Sequence, residues 1–225
     1  MALNGANVTI VGKTVSKHPK LERTIFSAAE EICDITQKPN CMAVPCDVRD
    51  SKQIDHAISE TLDVYGKGLY GAVLNASALC LNNTLNQTEK EVDLMSQVNI
   101  NGTYLFGQKC LREMKDNERG HLLLIAPPIE MLYTDEWWVN HLYYSLSKFN
   151  MTLMAKYWGK EFSNIGVNTL WPRTTLNTAP VRNILGGDDM VKISRTPRIM
   201  GDAAGVIFKS DPLVCTGNNY IDDEV

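Results

Sequence analysis

The chain has 225 residues, of which 44% are hydrophobic and 21% are charged, and its formal net charge is −4. This composition can form a substantial core, so it excludes a disordered acidic chain. The negative charge argues against a nucleic-acid-binding protein. No apolar run approaches the ~20 residues of a membrane span, and the six cysteines form no CxxC or zinc-finger pattern, so we expect neither a membrane span nor a metal site.

Short apolar runs alternate with segments of helical periodicity along the chain. The predicted strands are residues 7–12, 42–47, 71–75, 121–126, 166–171 and 219–222. The predicted helices are residues 21–35, 53–64 (with Ser51 as N-cap), 89–115, 142–162 and 201–208, and residues 172–198 are predicted as loop with short helical pieces. Strands separated by helices predict right-handed βαβ units, a parallel sheet and one α/β domain over residues 1–225.

Tyr144 and Lys148 stand four residues apart in a predicted helix, so they share one face. An ammonium group beside a phenol would lower the pKa of that phenol. A phenol tuned in this way can exchange a proton with a carbonyl or an alcohol. The YxxxK spacing also arises by chance, so a surface tyrosine and lysine remain the alternative for the isolated motif.

Other features surround this pair in a fixed order. They are Asp47-Val48 at the end of the second strand, Asn75-Ala76 after the third, Asn99 within the long helix and Pro172 after the fifth strand. Together with Tyr144 and Lys148, this pattern resembles the short-chain dehydrogenase/reductase family. The resemblance extends over essentially the whole chain to the hydroxysteroid dehydrogenase-like group of that family, without its C-terminal sterol-carrier domain.

The resemblance implies a doubly wound Rossmann-type sheet and an NADP(H)-dependent oxidoreductase of lipid metabolism. Tyr144 would be the acid/base, Lys148 would tune it and bind the nicotinamide ribose, and Asn99 would hold a water of the proton relay. The alternative for Asn99 is a helix residue bonded to neighbouring backbone.

The resemblance also implies the cofactor-binding set Lys13, Asp47, Val48, Asn75, Ala76, Tyr144, Lys148 and Pro172. The cation Lys13 would favour the 2′-phosphate of NADP, and Asp47 would meet the adenine amine. The alternatives are a solvated loop lysine for Lys13 and a turn or capping residue for Asp47.

Two departures from the family pattern stand out. The TGxxxGIG segment that receives the pyrophosphate has no counterpart, so the first strand, the glycine-rich loop and most of the first helix are expected to be missing and cofactor binding to be weak or lost. The sheet would then close across the gap, keep a loose edge, or belong to an incomplete domain; each buried backbone group left unpaired would cost about 1–3 kcal/mol.

The second departure is Ala126, which occupies the position of the family's catalytic serine and predicts a loss of about 10²–10³ in rate. Thr134 and Ser145 are weak candidates to replace that serine.

The stretch 131–143 is rich in large apolar side chains: Tyr133, Trp137, Trp138, Leu142 and Tyr143, joined by Trp171 through the family pattern. Such a lining suits an apolar steroid- or fatty-acyl-like carbonyl or alcohol, whereas packing in the core or at a subunit interface is the alternative. The resemblance implies a homodimer or homotetramer formed through residues 89–115 and 142–162.

The resemblance also implies a mitochondrial or peroxisomal location. No targeting signal is recognisable, so a cytoplasmic location is the alternative. A non-catalytic family member that acts through protein contacts is the rival hypothesis.

Overall fold

A computed structural model of the chain describes residues 1–18, 21, 23–66, 68–134 and 136–225. Its strands are β1 (Val8–Gly12), β2 (Cys41–Pro45), β3 (Gly71–Leu74), β4 (Gly120–Ile125), β5 (Ile165–Trp171) and β6 (Asn219–Ile221). Its α-helices are α1 (Ile25–Thr36), α2 (Ser51–Tyr65), α3 (Glu89–Met95), α4 (Thr103–Met114), α5 (Met131–Thr134), α6 (Leu142–Glu161), α7 (Gly187–Ile193) and α8 (Arg198–Ile207). The predicted α/β fold is confirmed, and most predicted boundaries shift by only a few residues.

Two helix starts differ from the prediction because of their caps. Helix α1 begins at Ile25, four residues later than predicted, because Thr24 and Ser27 form a capping box. Helix α2 is capped by Asp50 and not by Ser51: the Asp50 carboxylate accepts hydrogen bonds from the backbone N–H groups of Lys52 and Gln53. An anionic side chain at this position also complements the helix dipole.

The strands are all parallel and form two separate sheets in the described part of the chain. One sheet pairs β1 with β2, and the other has the order β3-β4-β5-β6. In a doubly wound sheet of order 3-2-1-4-5-6, the strands β1 and β2 of this chain take places 2 and 3, and β3 takes place 4. The place between β1 and β3 therefore belongs to strand 1 of that order. No described strand occupies that place, and the two sheets do not close across it.

The two unpaired strand edges are less costly than a fully buried gap would be. All five residues of β1 are only partly buried, and Val73 of β3 is exposed. Water can therefore reach part of these edges and satisfy their backbone groups. Helix α2 also anchors β1, because the Thr61 hydroxyl donates to the Thr9 hydroxyl at 3.0 Å.

The predicted long helix 89–115 is interrupted by a π-helical segment, Ser96–Gly102, between α3 and α4. Such wide turns are common at functional sites. The segment ends at Gly102, where an added Cβ would lie 2.9 Å from the Val48 carbonyl oxygen and 3.0 Å from that of Gln97. Glycine at this position therefore lets the helix approach the loop after β2.

The largest core cluster surrounds β4, whose Leu122 and Leu124 pack against residues of α4 and α6. Helices on the faces and a buried parallel sheet leave the carboxyl ends of the strands as the natural place for a site. None of the helices in the described ranges has the length and apolar character needed to cross a bilayer.

Candidate active site

Tyr144 and Lys148 lie near the start of α6 and are both buried, with relative exposures of 7% and 2%. Their helix packs against β4 and β5, beside the carboxyl ends of these strands. The predicted pair is therefore part of the protein interior. A surface tyrosine and lysine, the alternative for an isolated motif, is not what the structure contains.

Lys148 is held by the end of β4 and by an aromatic ring. Its Nζ donates a hydrogen bond to the Ile125 carbonyl oxygen at 2.9 Å and lies 5.5 Å from the centre of the Trp171 ring. Burial lowers the pKa of the Lys148 ammonium to about 7. Lys148 can therefore gain or lose a proton near neutral pH, which an exposed lysine cannot do.

Tyr144 differs from the prediction in its electrostatics. Burial raises the pKa of its phenol well above the ordinary value, and no lowering by Lys148 accompanies it. The reason is geometric: Lys148 Nζ contacts the strand ends at Ile125 and Trp171, and the Met151 sulfur on its own helix. In this state the Tyr144 hydroxyl stays protonated over the physiological pH range, so it can donate a proton but not accept one.

Asn99 lies in the π-helical segment with its side chain fully buried. Its Oδ1 accepts hydrogen bonds from the Ala78 backbone N–H and the Ser77 hydroxyl, and its Nδ2 donates to the Ala78 carbonyl and the Ser147 hydroxyl. These four bonds use the full capacity of the amide. The expected relay water therefore finds no free group on this side chain, and the backbone-bonded alternative describes Asn99 better.

Ser147, which the sequence reasoning missed, completes a chain of contacts to the acid/base candidate. Its hydroxyl donates to the Tyr144 carbonyl at 2.7 Å while it accepts from Asn99. One turn further on, the Thr152 hydroxyl donates to the Pro127 carbonyl at 2.7 Å. The loop after β3, helix α6 and the end of β4 are thus fixed relative to one another.

Aromatic side chains enclose Tyr144. The Trp138 ring is nearly parallel to the Tyr144 ring, at 5° and 6.4 Å between centroids, and it also contacts Phe149 and Trp171. Trp137 meets Tyr144 edge-on at 6.0 Å. Tyr133 from the same predicted lining is instead 84% exposed. Phe149 was not predicted, because its spacing on α6 resembles that of any core residue.

At the other sheet, Asp47 follows β2 and is held by Arg49. The guanidinium binds both carboxylate oxygens, at 2.9 Å and 3.0 Å from Nε, and the Arg49 backbone N–H donates to Oδ1 at 3.1 Å. The Arg49 side chain thereby lowers the pKa of Asp47 to about 2, with a smaller contribution from the Lys13 charge. Arg49 was missed because nothing in the sequence distinguishes a pairing arginine from a solvated one.

The remaining predicted cofactor residues also follow strands. Lys13 comes directly after β1 and is exposed, Val48 is half-buried, and Asn75 and Ala76 are exposed after β3, while Pro172 is half-buried after β5. Parallel strands place their carboxyl ends along one edge of each sheet. The predicted residues therefore fall into two groups, one at the β1-β2 sheet and one at the four-stranded sheet. Over the described ranges, no three or more His, Cys, Asp or Glu side chains are grouped as a metal ion would require.

Comparison with known proteins identifies the family. A family model described as enoyl-(acyl carrier protein) reductase matches residues 15–206. Hydroxysteroid dehydrogenase-like protein 2 from Xenopus tropicalis is 41% identical, over 100% of this chain and 52% of that protein. The crystal structure of a short-chain dehydrogenase from Mycobacterium thermoresistibile is 36% identical with a TM-score of 0.86, covering 99% of this chain and 78% of that one. The chain belongs to the short-chain dehydrogenase/reductase family.

More distant structures share the fold. The 3-ketoacyl-(acyl-carrier-protein) reductase from Brucella melitensis, crystallised in complex with NADH, has a TM-score of 0.76 at 20% identity, covering 98% of this chain and 87% of that one.

Among the curated relatives, hydroxysteroid dehydrogenase-like protein 2 from Mus musculus is 40% identical, over 100% of this chain and 44% of that protein. The chain spans about half the length of these curated relatives.

This short-chain dehydrogenase/reductase has no hydroxyl at the end of β4. Ala126 is fully buried there and offers no hydrogen-bond donor to a substrate oxygen. Ser145 does not replace it, because its hydroxyl donates to the carbonyl groups of Trp138 and His141 at 2.8 Å and 2.9 Å. The side chain of Thr134, the other candidate, lies outside the described part of the structure.

Among the described residues, two buried polar atoms near Tyr144 have no hydrogen-bond partner: Trp138 Nε1 and His141 Nδ1. A buried donor or acceptor without a partner costs about 1–3 kcal/mol, so native proteins rarely keep one without a reason. Both atoms belong to the short 3₁₀ helix Glu136–His141 that precedes α6. The candidate site therefore contains unused hydrogen-bonding capacity.

Proposed function

We propose that the chain is the dehydrogenase part of an oxidoreductase that transfers hydride between NADP(H) and an apolar carbonyl or alcohol. The observation that carries this proposal is the burial of Tyr144 and Lys148 on one helix, beside the ends of β4 and β5 and under an aromatic lining. A surface pair could not change its pKa values in this way, and perturbed groups in an enclosed site are typical of catalysis.

The residues present fit the two ends of a nicotinamide dinucleotide. Gly102 lacks the Cβ that would collide with Val48, so the loop after β2 stays close to the π-helical segment, and Lys13 and Asp47 lie at the carboxyl ends of β1 and β2. Lys13 would hold the 2′-phosphate and Asp47 the adenine amine. Asn75, Ala76 and Pro172 would border the rest of the cofactor, and Lys148 would bind the nicotinamide ribose. Residues 1–225 contain no TGxxxGIG cradle for the pyrophosphate, so we expect weak binding by this chain.

When bound, the cofactor would supply or accept the hydride. The Tyr144 hydroxyl, kept protonated by burial, would donate its proton to the oxygen of a carbonyl substrate. Lys148, with its pKa near 7, would then return a proton to that tyrosine. Asn99 would act as a positioning residue, because its bonds to Ala78 and Ser147 fix the backbone on both sides of the site.

An apolar substrate is supported by the side chains around Tyr144. Trp137, Trp138 and Trp171 all pack in this cluster, together with Phe149. Large rings contribute apolar area with few polar groups, which suits a steroid- or fatty-acyl-like molecule. The names of the relatives agree with a hydroxysteroid-like substrate, although those proteins are about twice as long.

A homodimer or homotetramer is part of the proposal. Helix α6 exposes an apolar stripe at helical spacing, formed by Leu142, Leu146, Leu153 and Tyr157. On α4, Tyr104 is also exposed, and its ring contacts Trp158 of α6. Such a surface is suited to burial against a second copy. A mitochondrial or peroxisomal location remains a proposal from the family resemblance.

The second candidate is a non-catalytic family member that acts through protein contacts. It is favoured by Ala126, which provides no oxyanion donor, and by Lys148, whose Nζ is engaged by Ile125. The exposed stripe on α6 would serve this function as well as it serves an oligomer.

Titration with NADPH and NADH separates the two candidates. The intrinsic tryptophan fluorescence and the melting temperature of the 225-residue chain would be followed together. Saturable binding that raises the melting temperature, with NADPH tighter than NADH, is the result expected for an NADP-dependent enzyme. A cooperatively melting chain that binds neither nucleotide would favour the protein-contact function. The variant Lys13→Gln tests the NADP preference, because it should weaken NADPH but not NADH.

A further inference from the structure

The Trp138 indole is an unexplained polar group in this site. The side chain is 3% exposed, and its Nε1 has no hydrogen-bond partner in the described part of the chain. Its backbone carbonyl, in contrast, accepts a hydrogen bond from the Ser145 hydroxyl. A tryptophan that served only as core packing would normally find a partner for its N–H, as buried indoles usually do.

The ring is placed against the residues that would carry the chemistry. Trp138 stacks in parallel on Tyr144, and it contacts Trp171, whose ring also lies over Lys148 Nζ. The other such atom of this segment is His141 Nδ1, and the His141 ring packs on Trp137. Of these two side chains, Trp138 is the one whose ring stacks on the Tyr144 ring.

A donor is required at this position. When a hydride adds to the carbonyl carbon, the carbonyl oxygen develops negative charge before the Tyr144 proton neutralises it, and a second preorganised donor stabilises that charge. Ala126 cannot provide that bond, and the Ser145 hydroxyl is already used. The Trp138 N–H is a donor only, so it favours an oxygen with lone pairs over any cation.

We propose that the Trp138 indole N–H is the second hydrogen-bond donor to the substrate oxygen, so that the ligand is a carbonyl or alcohol held between Tyr144 and Trp138. This assignment rests on the proposed function and specifies how the same site recognises its substrate. It makes Trp138 a residue that contacts the substrate directly.

Indole N–H signals of the ¹⁵N-labelled chain test the assignment without turnover. The chain has four tryptophans, so single Trp→Phe variants identify each signal. The probes are the bicyclic ketone decalone and its hydrocarbon counterpart decalin, each added with and without NADPH. We expect decalone, but not decalin, to move the Trp138 N–H proton downfield, because only the ketone can accept a hydrogen bond.

The variant Trp138→Phe keeps an aromatic ring and removes the donor. With NADPH and decalone, we expect kcat to fall about tenfold to a hundredfold with a much smaller change in KM, below the 10²–10³ of a complete oxyanion-hole loss. Trp158→Phe is the matched control, since Trp158 of α6 is buried as Trp138 is but packs against Tyr104. It should lower the melting temperature without changing kcat.

The outcomes distinguish this assignment from the proposed function. Decalone that binds but shifts the Trp138 signal no more than decalin does would overturn the role of Trp138 and leave the oxidoreductase intact. Unchanged kcat in Trp138→Phe would have the same meaning. If neither decalone nor NADPH shifts any indole signal of the folded chain, the proposed function and this assignment are overturned together.

Discussion

The two ends of the candidate site control their ionisable groups in opposite ways. At the β1-β2 sheet, Asp47 is partly exposed and its pKa is lowered by the charge and hydrogen bonds of Arg49. At the four-stranded sheet, Tyr144 and Lys148 are enclosed, and burial alone moves both pKa values toward the neutral forms. Charge pairing therefore governs the pKa at the Asp47 end of the candidate site, and desolvation governs the pKa values at the Tyr144 end.

The largest effect should come from Tyr144→Phe at the enclosed end. The phenyl ring keeps the packing against Trp138, whereas the proton donor is lost. We expect kcat to fall by about 10²–10⁴ with little change in melting temperature. The measurement is NADPH-dependent ketone reduction together with a thermal melt.

Tyr157→Phe is the control for this prediction, because Tyr157 lies on the same helix and is 65% exposed. It should leave kcat unchanged. Full activity in Tyr144→Phe would show that another group donates the proton. The Tyr144 end of the site would then not carry the reaction.

Lys148→Met tests desolvation directly through the dependence of stability on pH. The native Lys148 has a pKa near 7, below the unfolded value of 10.5, so the unfolded chain binds an extra proton between these values. Wild-type stability should therefore rise with pH from about 7 to about 10.5. The variant should be more stable by roughly 1–3 kcal/mol near pH 7, after the lost hydrogen bond to Ile125 is counted, and the gain should vanish toward pH 10.5.

Urea unfolding at several pH values measures this change. Lys156→Met on the exposed side of α6 is the matched control and should show no such pH dependence. Parallel stability profiles for the wild type and Lys148→Met would mean that burial does not govern this lysine.

The sequence could predict where the site residues lie better than what they do. Apolar runs correctly predicted the strands of a parallel sheet, and the spacing of Tyr144 and Lys148 correctly predicted a shared helix. The i,i+4 rule fixes only Cβ positions, however, and the long Lys148 side chain reaches Ile125 instead of the Tyr144 hydroxyl. The saturated amide of Asn99 and the unpartnered Trp138 N–H depend on tertiary contacts that no spacing encodes.

A smaller effect is expected at Gly102, which joins the two ends. Its missing Cβ is what allows the close approach to Val48, so Gly102→Ala should destabilise the fold by about 1–3 kcal/mol and weaken nucleotide binding. Gly205 in α8 is the matched control, because an added Cβ there meets nothing within 4 Å. Gly205→Ala should instead stabilise the chain by about 0.5–1 kcal/mol through helix propensity. Chemical denaturation of both variants decides whether contact or propensity dominates.

The smallest effect should follow from Arg49→Gln at the exposed end. The Arg49–Asp47 pair is 38% and 22% exposed on its two side chains, so solvent screens it and its loss should cost below about 1 kcal/mol. Asp47 has a native pKa near 2 against an ordinary 3.8, so the contribution of the pair is present above pH 3.8 and is lost as the pH falls toward 2. The stability difference between wild type and variant should shrink over that range in acid titrations.

In the Arg49→Gln variant, the freed Asp47 carboxylate should also bind adenosine more readily, since it no longer has to exchange one partner for another. An Arg49→Gln variant with a loss of several kcal/mol would show that this end, too, is governed by desolvation.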